Sequence, residues 1–98
     1  MTQQYLFGEL SLLLARLQDA TNDQASTRDI ARLRREAETT PLAALRTVVM
    51  RALALSDALC WDSLQRGETT MFSRQATISA ELYDFGDCSG LLGEGYSA

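Results

Sequence analysis

The chain has 98 residues, nine arginines, no lysine, no histidine and a formal net charge of −4. Without histidine it has no imidazole base, no Ser-His-Asp triad and no histidine-bound metal. Without lysine it has no Schiff base and no P-loop lysine. Its apolar content of 46% is typical of a globular domain, and its negative charge argues against nucleic-acid binding. We therefore expect one folded domain that is not an enzyme and carries no cofactor or metal.

The first predicted helix covers residues 3–20. Its leucines recur at helical spacing and form one apolar stripe: Leu6, Leu10, Leu13, Leu14 and Leu17. Tyr5, Phe7 and Leu12 fall outside that stripe. The apolar surface of this predicted helix is therefore wider than contact with a single core requires.

The second predicted helix covers residues 27–38, after a polar turn. Ser26 and Asp29 match the spacing of a capping box, which predicts the start of the helix at this point. Three arginines, Arg28, Arg32 and Arg35, share one face at i, i+4 and i+7. This arginine face predicts a docking site for an acidic partner or phosphate, a solvated surface, or a contact with the acidic C-terminal half of the chain.

The third predicted helix covers residues 41–66, between Pro41 at its first position and Gly67 as its stop. Its sequence is apolar on nearly every side between Val48 and Leu64, which is typical of a helix that is buried all round. We therefore expect it to be the central helix. Asp57 interrupts this stretch, and we expect an arginine to pair with it if it is buried.

The fourth predicted helix covers residues 70–84, and residues 86–98 form a glycine-rich C-terminal tail that is flexible or docked. The fold prediction is an all-α, four-helix bundle-like single domain over residues 1–85. Cys60 and Cys88 lack the spacing of a disulfide framework or a metal site, which favours reduced thiols in the cytoplasm. No segment predicts a membrane span or a signal peptide.

The charges are distributed unevenly along the chain. Residues 27–51 hold six arginines and three acids, a net charge of +3, whereas residues 52–98 hold two arginines and seven acids, a net charge of −5. The low overall charge therefore hides a basic segment followed by an acidic one. Such an arrangement favours recognition of an oppositely charged protein surface.

The leading functional hypothesis is a non-catalytic protein–protein interaction domain, a homodimeric adaptor or regulatory subunit. Its basis is the surplus of apolar side chains, which a monomer of this size would leave exposed as a contact patch. The expected partner is a second copy or another protein. The predicted interface residues are Tyr5, Phe7, Leu12, Val48, Leu55 and Trp61.

Two alternatives remain open at this point. The bundle could bind a small apolar ligand in its interior, with Met50, Trp61, Met71 and Phe72 lining the pocket. It could instead be an acidic binder of a basic partner, resembling an antitoxin or immunity protein in role, through the acids of residues 57–94.

Overall fold

The structure, a computed structural model, describes residues 3–39 and 41–88. Within these ranges the chain forms four helices and no strand: α1 (Gln3–Asp19), α2 (Gln24–Thr39), α3 (Leu42–Gln65) and α4 (Thr69–Cys88). The all-α, four-helix prediction is thereby confirmed. Most of the predicted glycine-rich tail, residues 89–98, lies outside the described residues.

Each helix packs against the next one along the chain, and α4 also packs against α1. Short connections such as these favour antiparallel packing of consecutive helices. Contacts between α1 and α3 are fewer than those that either helix makes with α2 or α4, so α1 and α3 are not close neighbours.

The core includes the apolar stripe that the leucine spacing predicts for the first helix. The leucine stripe of α1 is buried along its whole length, and apolar side chains of the other three helices pack against it. The largest fully buried apolar side chains are Leu10, Leu14, Leu17, Ile30, Leu45, Val49 and Leu82. The periodicity of the leucines was therefore sufficient to predict this part of the core.

The start of α2 differs from the capping-box prediction. Asp23 precedes the helix, and its carboxylate accepts hydrogen bonds from the backbone N–H of Ser26 at 3.1 Å and from the Ser26 hydroxyl at 2.7 Å. Ser26 is thus the third residue of the helix and donates to the cap. These bonds favour the charged carboxylate, and the hydrogen bond from the Ser26 side chain is the main cause that lowers the pKa of Asp23.

The ends of α3 lie within one residue of the predicted ones. Pro41 is the residue before the helix, with extended backbone angles, and was predicted as its first residue. At the other end Gly67 has a φ of +74°, and its N–H donates to the carbonyl of Leu64 at 3.2 Å. The N–H of Glu68 donates to the carbonyl of Ser63 at 3.0 Å, which completes a Schellman motif. The prediction of Gly67 as the stop is confirmed.

The last helix is longer than the sequence predicts. It begins at Thr69 and continues to Cys88, past the expected end at residue 84, with Gly86 buried inside it. Glycine disfavours a helix by about 1 kcal/mol relative to alanine. Packing of Leu82 and Phe85 against the core offsets that cost, which local sequence preference could not reveal.

Candidate functional site: an exposed apolar face on α3

The third helix is not buried on all sides, which corrects the prediction of a central helix. One side, with Leu45, Val49 and Leu53, lies in the core, whereas the opposite side is open to solvent. The reason is the packing of α3, whose main neighbours are α2 and α4. Apolar residues on the outward side therefore have no helix to cover them.

Two of the six predicted interface residues do not belong to an exposed surface that the structure describes. Val48 is only 3% exposed and is part of the core, so it cannot contribute to an interface. Its side of α3 faces the bundle, which an all-round apolar pattern could not indicate. The side chain of Tyr5 lies outside the described residues.

The other four predicted interface residues are at least partly accessible. Phe7 and Leu55 are half-buried against the core. Leu12 is 57% exposed and Trp61 is 62% exposed, which makes them the two most accessible large apolar residues in the described part of the chain. However, Leu12 lies on α1 and Trp61 on α3, two helices that make few contacts with each other, so they belong to different parts of the surface.

The outward side of α3 carries a stripe at alternating spacings of three and four residues. We call it the Trp61 face, and its members are Thr47, Met50, Ala54, Asp57, Trp61 and Leu64. Leu64 is 49% exposed, and Met50 is partly buried. This spacing is that of the a and d positions of a coiled coil, which pack against another helix. Sequence reasoning missed Leu64 and the stripe because the apolar residues on the buried side of α3 obscure it.

The one charged member of the face, Asp57, is fixed by the neighbouring helix. Its carboxylate accepts hydrogen bonds from the hydroxyl of Ser79 at 3.1 Å and from that of Tyr83 at 3.0 Å. Ser79 in turn accepts a hydrogen bond from buried Ser56 at 3.2 Å. The side chain is exposed and bonded to hydroxyl groups, so it does not need the arginine partner that burial would have required.

Charged residues on and beside the Trp61 face form two blocks of opposite sign. Arg46 and Arg51 lie on the N-terminal half of α3, and Asp57 and Asp62 lie on its C-terminal half, all of them exposed. Arg51 pairs with Glu36 of α2 at 2.6 Å, and Asp62 pairs with Arg66 at 3.2 Å. The outward surface of this one helix is thus basic at one end and acidic at the other.

The arginine face of α2 is exposed as a charged surface. Arg28, Arg32 and Arg35 make no ion pair with any residue that the structure describes. Arg32 also borders an open groove of about 280 Å³ between α2 and α3, with Asp29, Leu33, Arg51 and Leu55 as the other lining residues. Because this groove holds an acid beside its arginines, its geometry does not single out an anion as a ligand.

The residues proposed to line an apolar interior pocket do not converge. Met50 and Met71 pack partly against the core, whereas Trp61 faces solvent on the outward side of α3. The space beside Met71 has a volume of about 40 Å³, which is too small for an organic ligand. The geometry of the described residues therefore gives no support to this alternative.

Several acids of the C-terminal half already have partners within the chain. Both carboxylate oxygens of Glu81 in α4 accept hydrogen bonds from the guanidinium of Arg16 in α1, and Asp62 pairs with Arg66. These pairs leave fewer acids for an acidic-binder function. No cluster of three potential ligands for a metal ion occurs among residues 3–39 and 41–88.

Both cysteines are free, as the sequence predicts. Cys60 is half-buried beside Asp57, and Cys88 is exposed at the end of α4. Burial raises the pKa of the Cys60 thiol, and the negative charge of Asp57 raises it further. Cys60 is therefore a poor nucleophile at neutral pH.

The comparisons with known proteins bring no relative. The chain matches no family model, no curated protein sequence and no solved structure. In the described part of the chain, no helix combines the length and the apolar character that crossing a membrane requires.

Proposed function

We propose that this protein is a non-catalytic protein–protein interaction domain, a homodimeric adaptor or regulatory subunit, that uses the Trp61 face as its contact surface. The single observation that carries the proposal is the 62% exposure of Trp61 in a stripe with coiled-coil spacing. A large exposed aromatic side chain beside other accessible apolar residues is typical of an interface anchor. The two free cysteines support a reducing compartment such as the cytoplasm.

The occupant of the face is a second copy of the chain. A helix with a and d spacing packs best against a helix with the same spacing, and α3 itself provides one. Two-fold pairing is also the commonest way in which a soluble protein covers such a surface. An adaptor built this way presents its two arginine faces at separate positions, one on each copy.

Sedimentation equilibrium of the full chain, from low to high micromolar concentration, tests this function. The expected result for the wild type is a reversible monomer–dimer equilibrium. Trp61→Ala removes the interface anchor and should cost about 2 kcal/mol of association free energy, or roughly a thirtyfold rise in the dimer dissociation constant. A wild-type protein that remains a monomer at high micromolar concentration contradicts the proposal.

Leu12→Ala is the matched control for this substitution. Leu12 is nearly as exposed as Trp61, but it lies on α1, which makes few contacts with α3. Its truncation should leave the dimer dissociation constant unchanged. If both substitutions raised the dimer dissociation constant equally, association would depend on general surface hydrophobicity and not on a specific contact through α3.

A further inference from the structure

We infer that the two copies pair through α3 in an antiparallel arrangement, with a two-fold axis beside the middle of the helix, between residues 55 and 56. This inference rests on the proposed function and specifies its interface. It follows from the two charge blocks of α3, from their direction relative to the helix dipole, and from the length of the Trp61 face.

The charge blocks favour the antiparallel direction. Arg46 and Arg51 precede the midpoint of the face, and Asp57 and Asp62 follow it. An antiparallel second copy sets the basic half of each α3 beside the acidic half of the other, twice in one symmetric interface. A parallel copy would set arginine beside arginine and aspartate beside aspartate, which is repulsive at close range.

The helix dipole does not favour the position of Asp62. The positive end of a helix dipole is at the N-terminus, where acids are stabilising, and bases are stabilising at the C-terminus. Yet α3 has no acid in its first turn and no base in its last turn, and Asp62 lies near its C-terminal end. Asp62 pairs with Arg66 of its own chain at 3.2 Å, which offsets this unfavourable position, and its charge is complementary to the basic half of an antiparallel copy.

The register follows from the ends of the Trp61 face. The stripe runs from Thr47 to Leu64, so its midpoint falls between residues 55 and 56. A two-fold axis there sets Trp61 against Met50 of the second copy and Thr47 against its Leu64. Ala54, which is small, faces Asp57 of the second copy and lets the helices approach. A methionine thioether beside an indole ring is a favourable contact.

The flanking charges meet in this register. Arg51 comes within about one helical turn of Asp62 of the second copy, on the same side of the interface, a distance that an arginine side chain can span. The Arg51 guanidinium bonds to Glu36 through one nitrogen, and its five N–H donors allow a second acceptor. Each dimer therefore contains two Arg51–Asp62 pairs.

The two Asp57 side chains lie next to the axis, where like charges approach each other. Each carboxylate is held by Ser79 and Tyr83 of its own chain, on the side of α4. These hydrogen bonds draw the charge away from the second copy and share it with two hydroxyl groups. Asp57→Asn should for this reason lower the dimer dissociation constant modestly. If Asp57 formed an ion pair with the second copy, the same substitution would raise the dissociation constant.

Cysteine cross-linking in the full chain tests the direction and the register. The background is Cys60→Ala with Cys88→Ser, and one preparation carries Thr47→Cys while the other carries Leu64→Cys. The two positions are 17 residues apart, about 25 Å along one helix, so they cannot form a disulfide within a chain. Under mild oxidation, the expected result is a covalent dimer in the mixture of the two variants and none in either variant alone.

The other outcomes separate this inference from the proposed function. A covalent dimer of the Thr47→Cys variant alone would show a parallel arrangement and overturn the inference. No cross-link in any sample, with a dimer still present by sedimentation, would also overturn the inference and leave a homodimeric function intact. A monomer by sedimentation in the wild type would overturn both.

Charge reversal gives a second test that does not rely on cysteine chemistry. Asp62→Arg places an arginine opposite Arg51 and should weaken the dimer at least about tenfold. Arg51→Glu should do the same, and combining both substitutions should restore most of the lost affinity. Arg74→Glu, on the exposed surface of α4, is the matched control and should not change the dissociation constant. If the dissociation constant of the double variant rose by the product of the two single effects, the Arg51–Asp62 pairing would be contradicted.

Discussion

A buried glutamine links three helices of the bundle through its hydrogen bonds. We expect its substitution to lower the free energy of unfolding more than substitution of any other polar residue in the core. Gln75 of α4 is 2% exposed. Its amide nitrogen donates to the carbonyl of Ala20, at the end of α1, at 2.7 Å, and its amide oxygen accepts from the hydroxyl of Ser63 in α3 at 2.7 Å. The side chain thus satisfies one backbone carbonyl and one hydroxyl group, both of which are buried.

The substitution Gln75→Ala removes both hydrogen bonds and leaves both partners unsatisfied. Loss of a buried partner costs about 1–3 kcal/mol for each group left behind, and part of this penalty is recovered where water enters the vacated space. We therefore expect a decrease of about 2–4 kcal/mol in the free energy of unfolding. This is a large part of the 5–15 kcal/mol that stabilises a typical domain.

Urea denaturation followed by circular dichroism, at one fixed chain concentration, measures this effect. Ser63→Ala deletes only one of the two bonds and should cost about 1 kcal/mol. Gln24→Ala, at an exposed position at the start of α2, is the matched control and should change the stability by less than about 0.5 kcal/mol. A Gln75→Ala variant as stable as the Gln24→Ala variant would refute the assignment of Gln75 as a buried link between helices.

Three further outcomes follow from the described contacts. Asp23→Ala should destabilise the protein at neutral pH, and the difference from wild type should shrink as the pH falls through the lowered pKa of Asp23, measured by urea denaturation across acidic pH. Cys88 should react with a thiol reagent well before Cys60, whose pKa is raised, as peptide mass spectrometry can measure. Arg16→Ala should cost less than about 1 kcal/mol in urea denaturation, because the Arg16–Glu81 pair is exposed.

The sequence predicted the helical content well because helical periodicity is a local signal. The leucine stripe of α1, the glycine stop after α3 and the proline before it each act within a few residues. The start of α2 was predicted too late because the spacing of Ser26 and Asp29 matched a capping box. Asp23 caps the helix and Ser26 donates to it, and only the geometry of the chain distinguishes these roles.

The candidate site was only partly predictable, for a reason that α3 illustrates. Trp61 was recognised as a surplus apolar residue, but Val48 was assigned to the same surface although it is buried. A helix with apolar residues on most sides gives no clue to which side meets the core. That choice depends on the positions of α2 and α4, which are a property of the whole fold. The burial of the polar residues Gln75 and Ser63 was not predicted, for the same reason.

The fluorescence of Trp61 is the most direct test of pairing through α3, because it is the only tryptophan in the chain. Trp61 is 62% exposed in the monomer and is covered by the second copy in the proposed dimer. The emission maximum should shift to shorter wavelength as the concentration of the wild-type chain rises, and Asp62→Arg should move that shift to higher concentration. An emission maximum that stays constant while sedimentation shows a dimer would contradict the central claim, because the interface would then lie away from Trp61.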